Sequence, residues 1–502
     1  MILTVWVFVC GFAGVESIRV NAEVTGDSVA ADWGMNLQLS LEKMAATLTQ
    51  TLKPWPVPDR LFRVEDYGAI GDGVTVNTRS LQRTIDACSA AGGGVVLFAK
   101  GHYVTGTIEL KSGVMLEVDK DAKILGSTHL SDYPDKTAAH QTVMDTAMHV
   151  TLSLIYAENC DHIGIRGEGT IDGRGIKKNF PRKPPPPHGS LKDRPFLIRI
   201  IECRQVVIDG IHLRDSASWM EDYLNCDDLI VQGINVENQG NYNNDGLDID
   251  GCHNVIVRNC FINSWDDGIC FKGAGLRTME NVLVENCTAY SGCNALKFGT
   301  SSEGDFRNAL IRNINVGGVT KDLPALNRRR ALSGISWESV DGDTLENILV
   351  TNVRIDRSDS PIFLRIGDRK DPNAPTHTPG QLSHLIFEHI TGDNNGSLPS
   401  IIAGIPEAKV SDVKFRDIHL SAAGGGSVPT RTTIPENIAD YPESNMFGPD
   451  LPAYGFWMRH AERISFDDVT ITTLKPDVRP QFVSDDDTGG VLLNGSPLSE
   501  SK

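Results

Sequence analysis

Positive charge is scarce in this chain. Its 502 residues hold 47 Lys and Arg against 65 Asp and Glu, a formal net charge of −18. That balance argues against nucleic acid as a partner, because phosphate binding needs clustered cations. It also sets a condition: a site for a polyanion would need a local basic cluster against the overall field. Long apolar runs are scarce too. Beyond the first residues none approaches the roughly 18 that a membrane span needs, so no span is expected in the mature chain. The exception, Ile2 to Gly14, lacks a basic start. Small residues follow it, and it reads as a secretory signal peptide cut after Ser17 or Ala22, so the expected location is secreted or periplasmic. The ten cysteines contain no paired C-x-x-C ligand sets, which excludes the common zinc frameworks. With 40% hydrophobic and 22% charged residues, the chain is a folded one rather than a disordered one.

What is present is a repeat. Cys160 to Gly167 aligns with Cys203 to Gly210, Cys226 to Gly233 and Cys252 to Asn259. Each unit has Cys, apolar residues three and five later, and Gly or Asn seven later. The register continues without Cys through Val282/Val284/Asn286, Ala309/Ile311/Asn313, Ile348/Val350/Asn352, Leu385/Phe387/His389, Val413/Phe415/Asp417 and Ile464/Phe466/Asp468. Successive units lie roughly 23 to 28 residues apart, with longer gaps at insertions, which marks a solenoid. The alternation is that of strands, and Gly or Asn at each strand end can take left-handed angles and turn the chain. The expected fold is therefore all-β, a parallel β-helix, with the four cysteines stacked as small buried hydrophobes rather than bridged. Leu81 to Ala90 has helical spacing and is stopped by Gly92-Gly93-Gly94; it should cap the open end of the solenoid. Pro184 to Pro187 reads as an exposed loop between coils. The expected division is a signal peptide over 1–22, an N-terminal extension over 23–60, the solenoid over 61–480 and a tail over 481–502, acting as a monomer.

Aspartate is concentrated in one stretch, Asn243-Asn244-Asp245-Gly246-Leu247-Asp248-Ile249-Asp250 and then Trp265-Asp266-Asp267-Gly268. Asp245 and Asp266 are 21 positions apart, about one coil, so they should lie on neighbouring strands about 4.8 Å apart. Carboxylates that close repel when all are ionised, so one pKa should rise. A raised acid beside ionised partners suits glycoside hydrolysis. The same residue types also fill solenoid turns or bind calcium.

The stretch from Asn243 to Gly273 resembles the core of glycoside hydrolase family 28, the polygalacturonases and their relatives, whose Asn-Thr-Asp and Asp-Asp motifs lie about one coil apart. Tyr67 to Gly73, Asn77-Thr78, Gly92 to Val96 and Gly169 to Gly175 also look like landmarks of pectinase-type β-helices. The resemblance implies a right-handed helix and an inverting hydrolase that needs no metal and no cofactor. Asp266 would be the general acid, Asp245 and Asp267 would activate water, and Asn243 would orient them. Two family motifs are altered. Gly-His-Gly aligns with Cys293-Asn294-Ala295, and Arg-Ile-Lys with Ser336-Trp337-Glu338. In the family those cations hold the galacturonate carboxylate, so their loss weakens a plain polygalacturonate assignment and leaves the aspartates untouched.

Alternation suggests replacements. Lys272, Lys297, Glu338 and Arg365 each lie between apolar neighbours and should face away from the core, where Lys272, Lys297 and Arg365 with Asn294 could rebuild a carboxylate or sulfate site. Arg365 could instead pair structurally with Glu338 or Asp368. Trp219, Trp337, Tyr441 and Trp457 are candidates for sugar contact, although Trp337 should point inward. The insertion holding Tyr441-Pro442-Glu443 and Phe447-Gly448 could wall one end of a cleft. Three readings stand at this point: a hydrolase of an acidic, pectic or related polysaccharide; a calcium-dependent lyase using Lys272 or Lys297 as base; and a carbohydrate-binding β-helix without catalysis.

Overall fold

The computed structural model describes residues 33–139, 141–182, 191–319, 329–369, 378–427 and 433–498, with two short paired strands at Trp6–Phe8 and Ser17–Arg19. The leader expected over 1–22 lies mostly outside the described residues, as does the Pro184 to Pro187 loop. The chain folds as a parallel β-helix, wound right-handed as parallel crossovers are. Among the described residues, one face is a twelve-stranded parallel sheet from Ile108–Glu109 to Phe482–Asp485, and the other two faces merge into a 23-stranded system. Strands in register begin at Leu61–Arg63 and run on to Leu492–Leu493. No described helix is long and apolar enough to cross a membrane.

The repeat read from the sequence is the register of the second sheet system. Val206, Leu229, Val255, Val282, Ala309, Ile348, Leu385, Val413 and Ile464 stand in one column, each paired with the next. All are buried. The strand ends behave as the turn chemistry requires: Gly210, Gly233, Asn259, Asn286, Asn313, Asn352, His389, Asp417 and Asp468 all have φ between 52° and 76°, where Asn, Asp and Gly are least strained. Cys160, Cys203, Cys226 and Cys252 are free and buried at the preceding corner. The amide N–H of Cys160 donates to Cys203 Sγ at 3.3 Å, and that of Cys226 to Cys252 Sγ at 3.3 Å. The ladder is packing, not bridging.

Two of the described helices dress this solenoid. The shorter, Thr78–Ala90, buries Leu81, Ile85 and Cys88 at the open N-terminal end, starting three residues before the expected span. The longer, α1 (Trp33–Thr51), lies in what the sequence offered only as an extension. It straps the outside of the second sheet system. There Met115, Val207, Ile230, Ile256, Leu283, Leu310, Leu349 and Ile386 form an outward apolar column, and Leu41, Ala45, Leu48 and then Trp55 cover it. Lys414 ends the column with its ammonium 4.7 Å over the Trp33 ring.

Candidate active site

Four neighbouring strands of the twelve-stranded sheet build the floor: β1 (Leu247–Asp250), β2 (Ile269–Lys272), β3 (Asn294–Phe298) and β4 (Ala331–Ser339). Ile249, Phe271, Phe298 and Trp337 stand in one inward column and fill the core. Trp337 thus points inward as its alternation requires. The residues between them face outward. The aspartates lie at the corner where the chain enters β1 and β2. The Gly after each motif permits the close passage of coils: a Cβ on Gly268 would come 2.3 Å from the Ala295 carbonyl oxygen, and one on Gly246 would come 2.3 Å from Ile262.

Register corrects one spacing. Leu247 pairs with Ile269 and Ile269 with Leu296, so Asp245, Asp267 and Asn294 share a column. Asp266 sits one residue earlier, in the column of Asn244 and Cys293. The partner beside Asp245 is therefore 22 residues away rather than 21, and it is Asp267. Asp245 and Asp267 are almost fully buried; Asp266 is partly buried and opens onto a cavity of about 730 Å³. That cavity is also lined by Arg182, Trp219, Tyr242, Asn243, Trp265, Lys272, Cys293, Arg369, Tyr441 and Glu443.

Each aspartate has a different electrostatic setting. Burial, then the Asp248 and Asp266 charges, pushes Asp245 well above the usual carboxylate range. Burial and the Asp267 charge lift Asp266 to about 6. Asp267 is pushed up by burial too, yet the Lys297 and Lys272 ammoniums prevail and hold it below its ordinary value. Lys297 Nζ lies 3.1 Å from Asp267 and 3.5 Å from Glu338. The Asn294 side-chain amide donates to Asp267 Oδ1 at 2.9 Å. Ser264 and Ser291 donate to the Asp266 carbonyl, and Asn238 donates to the Asp245 carbonyl at 2.8 Å, so the corner is held from both sides.

The other expected residues divide. Asn243 has φ 50° and accepts from Arg194 at 2.8 Å, on the cavity rim. Lys272 reaches the cavity, 3.3 Å from Asp248 and 4.4 Å over the Trp219 ring. Lys297 and Asn294 act beneath it through Asp267. Arg365 is not brought to the cavity. It faces away from the core, but its guanidinium donates to the carbonyls of Gly404, Glu436 and Asn437 at 2.9, 2.9 and 3.0 Å. It anchors the late insertion, as an arginine does when buried carbonyls are the available acceptors, and is not free for a substrate carboxylate. That insertion does wall the cavity, through Ala439, Tyr441 and Glu443. Trp457 packs under it, with Phe447.

Sequence reasoning missed Arg182, Tyr242, Trp265 and Arg369. Trp265 and Tyr242 flank the aspartate motifs directly, and that adjacency was the available signal. Arg182 and Arg369 lie in insertions whose path no periodicity gives. Asp248 and Asp222 were also missed as charged floor residues; they continue the outward column of Lys297 through Cys270. Burial lifts Asp248 to about 8 against the pull of Lys272.

Comparison with known proteins places this geometry. A family model described as Glycosyl hydrolases family 28 matches residues 88–439. A probable polygalacturonase of Vitis vinifera is 31% identical over 269 residues, 50% of this chain and 53% of that protein. An exopolygalacturonase of Platanus acerifolia is 24% identical over 74% of this chain and 93% of its own length. An exo-poly-alpha-D-galacturonosidase of Dickeya chrysanthemi is 31% identical, but the match covers only 28% of it. The chain thus spans about half, or less, of some curated relatives it matches. In fold it is similar to the exopolygalacturonase of Thermotoga maritima, with a TM-score of 0.67 at 19% identity over 86% of this chain and 96% of that one. It is similar also to the family 28 exopolygalacturonase of Yersinia enterocolitica, with a TM-score of 0.63 at 19% identity over 88% of this chain and 79% of that one.

Proposed function

The chain belongs to glycosyl hydrolases family 28, and on that premise we propose that it hydrolyses glycosidic bonds in an acidic, pectic polysaccharide or its oligosaccharides with inversion of configuration. Asp266, opening onto the cavity and lifted to about 6 by burial and Asp267, protonates the departing glycosidic oxygen. Asp267, held ionised by Lys297 and Lys272, draws the proton from an attacking water. Asp245 shares that column and holds the water between them. The single observation that carries this reading is a division of settings on one cavity wall: Asp266 opens onto the cavity, while Asp267 is buried against Lys297 at 3.1 Å and accepts from Asn294 at 2.9 Å. General acid–base catalysis needs that division. The relatives named polygalacturonases and exopolygalacturonases support a pectic substrate, and the insertion bearing Tyr441, which closes one side of the cavity, supports action near chain ends. The apolar segment 2–14 supports export to the periplasm or the cell exterior.

A lyase would need a neutral lysine as base. Burial works against the charge of Lys272 and Lys297, yet Cys270 and Asp248 beside the first and Asp267 and Glu338 beside the second prevail and favour the charged form, so the setting favours hydrolysis. The deciding experiment incubates the protein with pectic polysaccharides and oligosaccharides, reading new reducing ends and ultraviolet-absorbing unsaturated products with and without chelator. Reducing ends without unsaturation, at a rate unchanged by chelator, are expected. Chelator-sensitive unsaturated product would overturn the reading, and so would silence across the panel.

A further inference from the structure

A chain of net charge −18 that takes a polyanion must concentrate cations somewhere in the cavity, and the cations that adjoin the aspartates are already matched. Lys272 faces Asp248 at 3.3 Å. Lys297 sits between Asp267 and Glu338. Arg369 donates to Asp341, its Nε at 2.6 Å. A substrate carboxylate docking there would compete with an internal carboxylate and add negative charge beside Asp266 and Asp267.

The opposite wall is different. Lys177 Nζ lies 3.8 Å over the Tyr242 ring and the Arg182 guanidinium 5.4 Å from it. Among the described residues neither has a carboxylate partner. Both therefore keep a charge available to a ligand, and Arg182 lines the cavity itself. Tyr242 meets Trp265 edge-on with ring centres 5.6 Å apart, and both rings line the cavity beside Asp245 and Asp266. The position of this wall is fixed from behind. Arg194 is buried and donates to the Tyr242 carbonyl at 2.7 Å and to Asn243 Oδ1, bringing a further positive charge to the same corner. An aromatic surface for sugar C–H groups, with a planar fork and an ammonium beside it, is a fit for a uronate.

Resting on the hydrolase reading for its substrate class, we infer that Arg182 and Lys177 against Tyr242 form the carboxylate-recognising subsite of this cavity, and that the sugar lying over the Lys272, Lys297 and Glu338 side is uncharged. The enzyme then selects a glycan in which a neutral sugar adjoins a uronate.

The test is calorimetric binding at low salt. It uses the full chain carrying Asp266→Asn, with a tetrasaccharide in which galacturonate alternates with a neutral sugar as the acidic probe and its carboxyl-reduced counterpart as the neutral one. Adding Arg182→Gln should weaken the acidic probe about tenfold, the scale of one charge-assisted contact, and leave the neutral probe within about twofold. Lys177→Gln should act in the same direction. Raising salt should reduce the acidic probe's affinity in the parent and have less effect in the Arg182 variant. Equal losses for both probes, an unchanged acidic probe, or failure of both probes to bind the parent would each overturn the inference. Separate turnover measurements on the wild type keep the two readings distinguishable. Carboxylate-dependent binding without hydrolysis sinks the hydrolase and leaves the subsite standing. Hydrolysis with binding indifferent to Arg182 does the reverse.

Discussion

Lys297→Met removes one ammonium from beneath the aspartates while keeping an unbranched side chain one atom shorter. In the wild type that ammonium lies 3.1 Å from Asp267 and 3.5 Å from Glu338, almost wholly buried. At an effective dielectric of about 20, a unit pair at about 3 Å interacts by about 5 kcal/mol. Breaking a buried pair from one side costs about 3–5 kcal/mol, since the two carboxylates then lose the ammonium between them and only Lys272 still opposes the Asp267 charge. The variant can relieve this by taking up protons on Asp267 and on Glu338, which burial already lifts to about 7 with Lys297 present. The sign follows from linkage. Carboxyls whose folded pKa values rise above the unfolded ones stabilise the fold at low pH, and that contribution is lost as pH rises through the folded values. The stability deficit of Lys297→Met should therefore grow from pH 4 to pH 8. In catalysis, a protonated Asp267 is no base. The acidic limb of kcat/KM, which the proposal assigns to Asp267 in the wild type, should move upward by at least about one pH unit, while Lys297→Arg keeps it within a few tenths. Measuring kcat/KM from pH 3 to 8, with circular dichroism at each point, decides the matter. A folded Lys297→Met whose acidic limb has not moved would refute the assignment of Asp267 as the ionised partner.

Other consequences are read more simply. Asp266→Asn should lower kcat by at least about a hundredfold, the lower end of what a positioned acid contributes, with the thermal midpoint nearly unchanged; retention of most activity would remove Asp266 from the acid role. In its proposed role Asp266 acts protonated, and burial with Asp267 lifts it to about 6, so wild-type kcat/KM should decline as pH rises through about 6, and a flat profile to pH 8 would contradict the role. Leu41→Ala takes a buried leucine from α1 at a cost of about 2–5 kcal/mol; hydrogen exchange over 33–51 should quicken while turnover holds, and unchanged exchange would show that the strap does not depend on this contact. Reductant should not shift the thermal midpoint, because all nine cysteines among the described residues are free, whereas a lowered midpoint would reveal a bridge.

The solenoid was legible because its determinants are local and repeated. A column such as Val255, Val282, Ala309 and Ile348 recurs at nearly constant spacing, and Asn259, Asn286, Asn313 and Asn352 announce the left-handed turn at the end of each strand. The helix Thr78–Ala90 was legible for the same reason, since its face reads from one short window. The strap was not. Trp33, Leu37, Leu41, Met44 and Leu48 carry helical spacing, but what they cover is a second apolar column, Ile256, Leu283, Leu310 and Leu349. Those residues sit between Val255 and Val257, or their equivalents, and make the strand apolar on both faces. An all-apolar strand centre says that something lies over it and does not say what.

The site was legible to the extent that it is backbone. Asp245, Asp266, Asp267 and Asn294 come together because the coil length brings them together, and the one-residue slip between Asp266 and Asp267 shows the limit of counting: the register of β1 and β2, not motif spacing, decides which carboxyl stands beside which. Charge pairing lies a level above register and has no period. Lys272, Lys297 and Arg365 all face away from the core as alternation requires, yet one meets Asp248, one bridges Asp267 and Glu338, and one is taken up by carbonyls of an insertion. The alteration at Glu338 gains its meaning here. Glu338 beside Lys297 takes up part of a cation that would otherwise be open to a ligand, and so leaves the floor without a free carboxylate receptor. The proposed recognition of negative charge then falls to Arg182 and Lys177 on Tyr242, which have no carboxylate partner among the described residues.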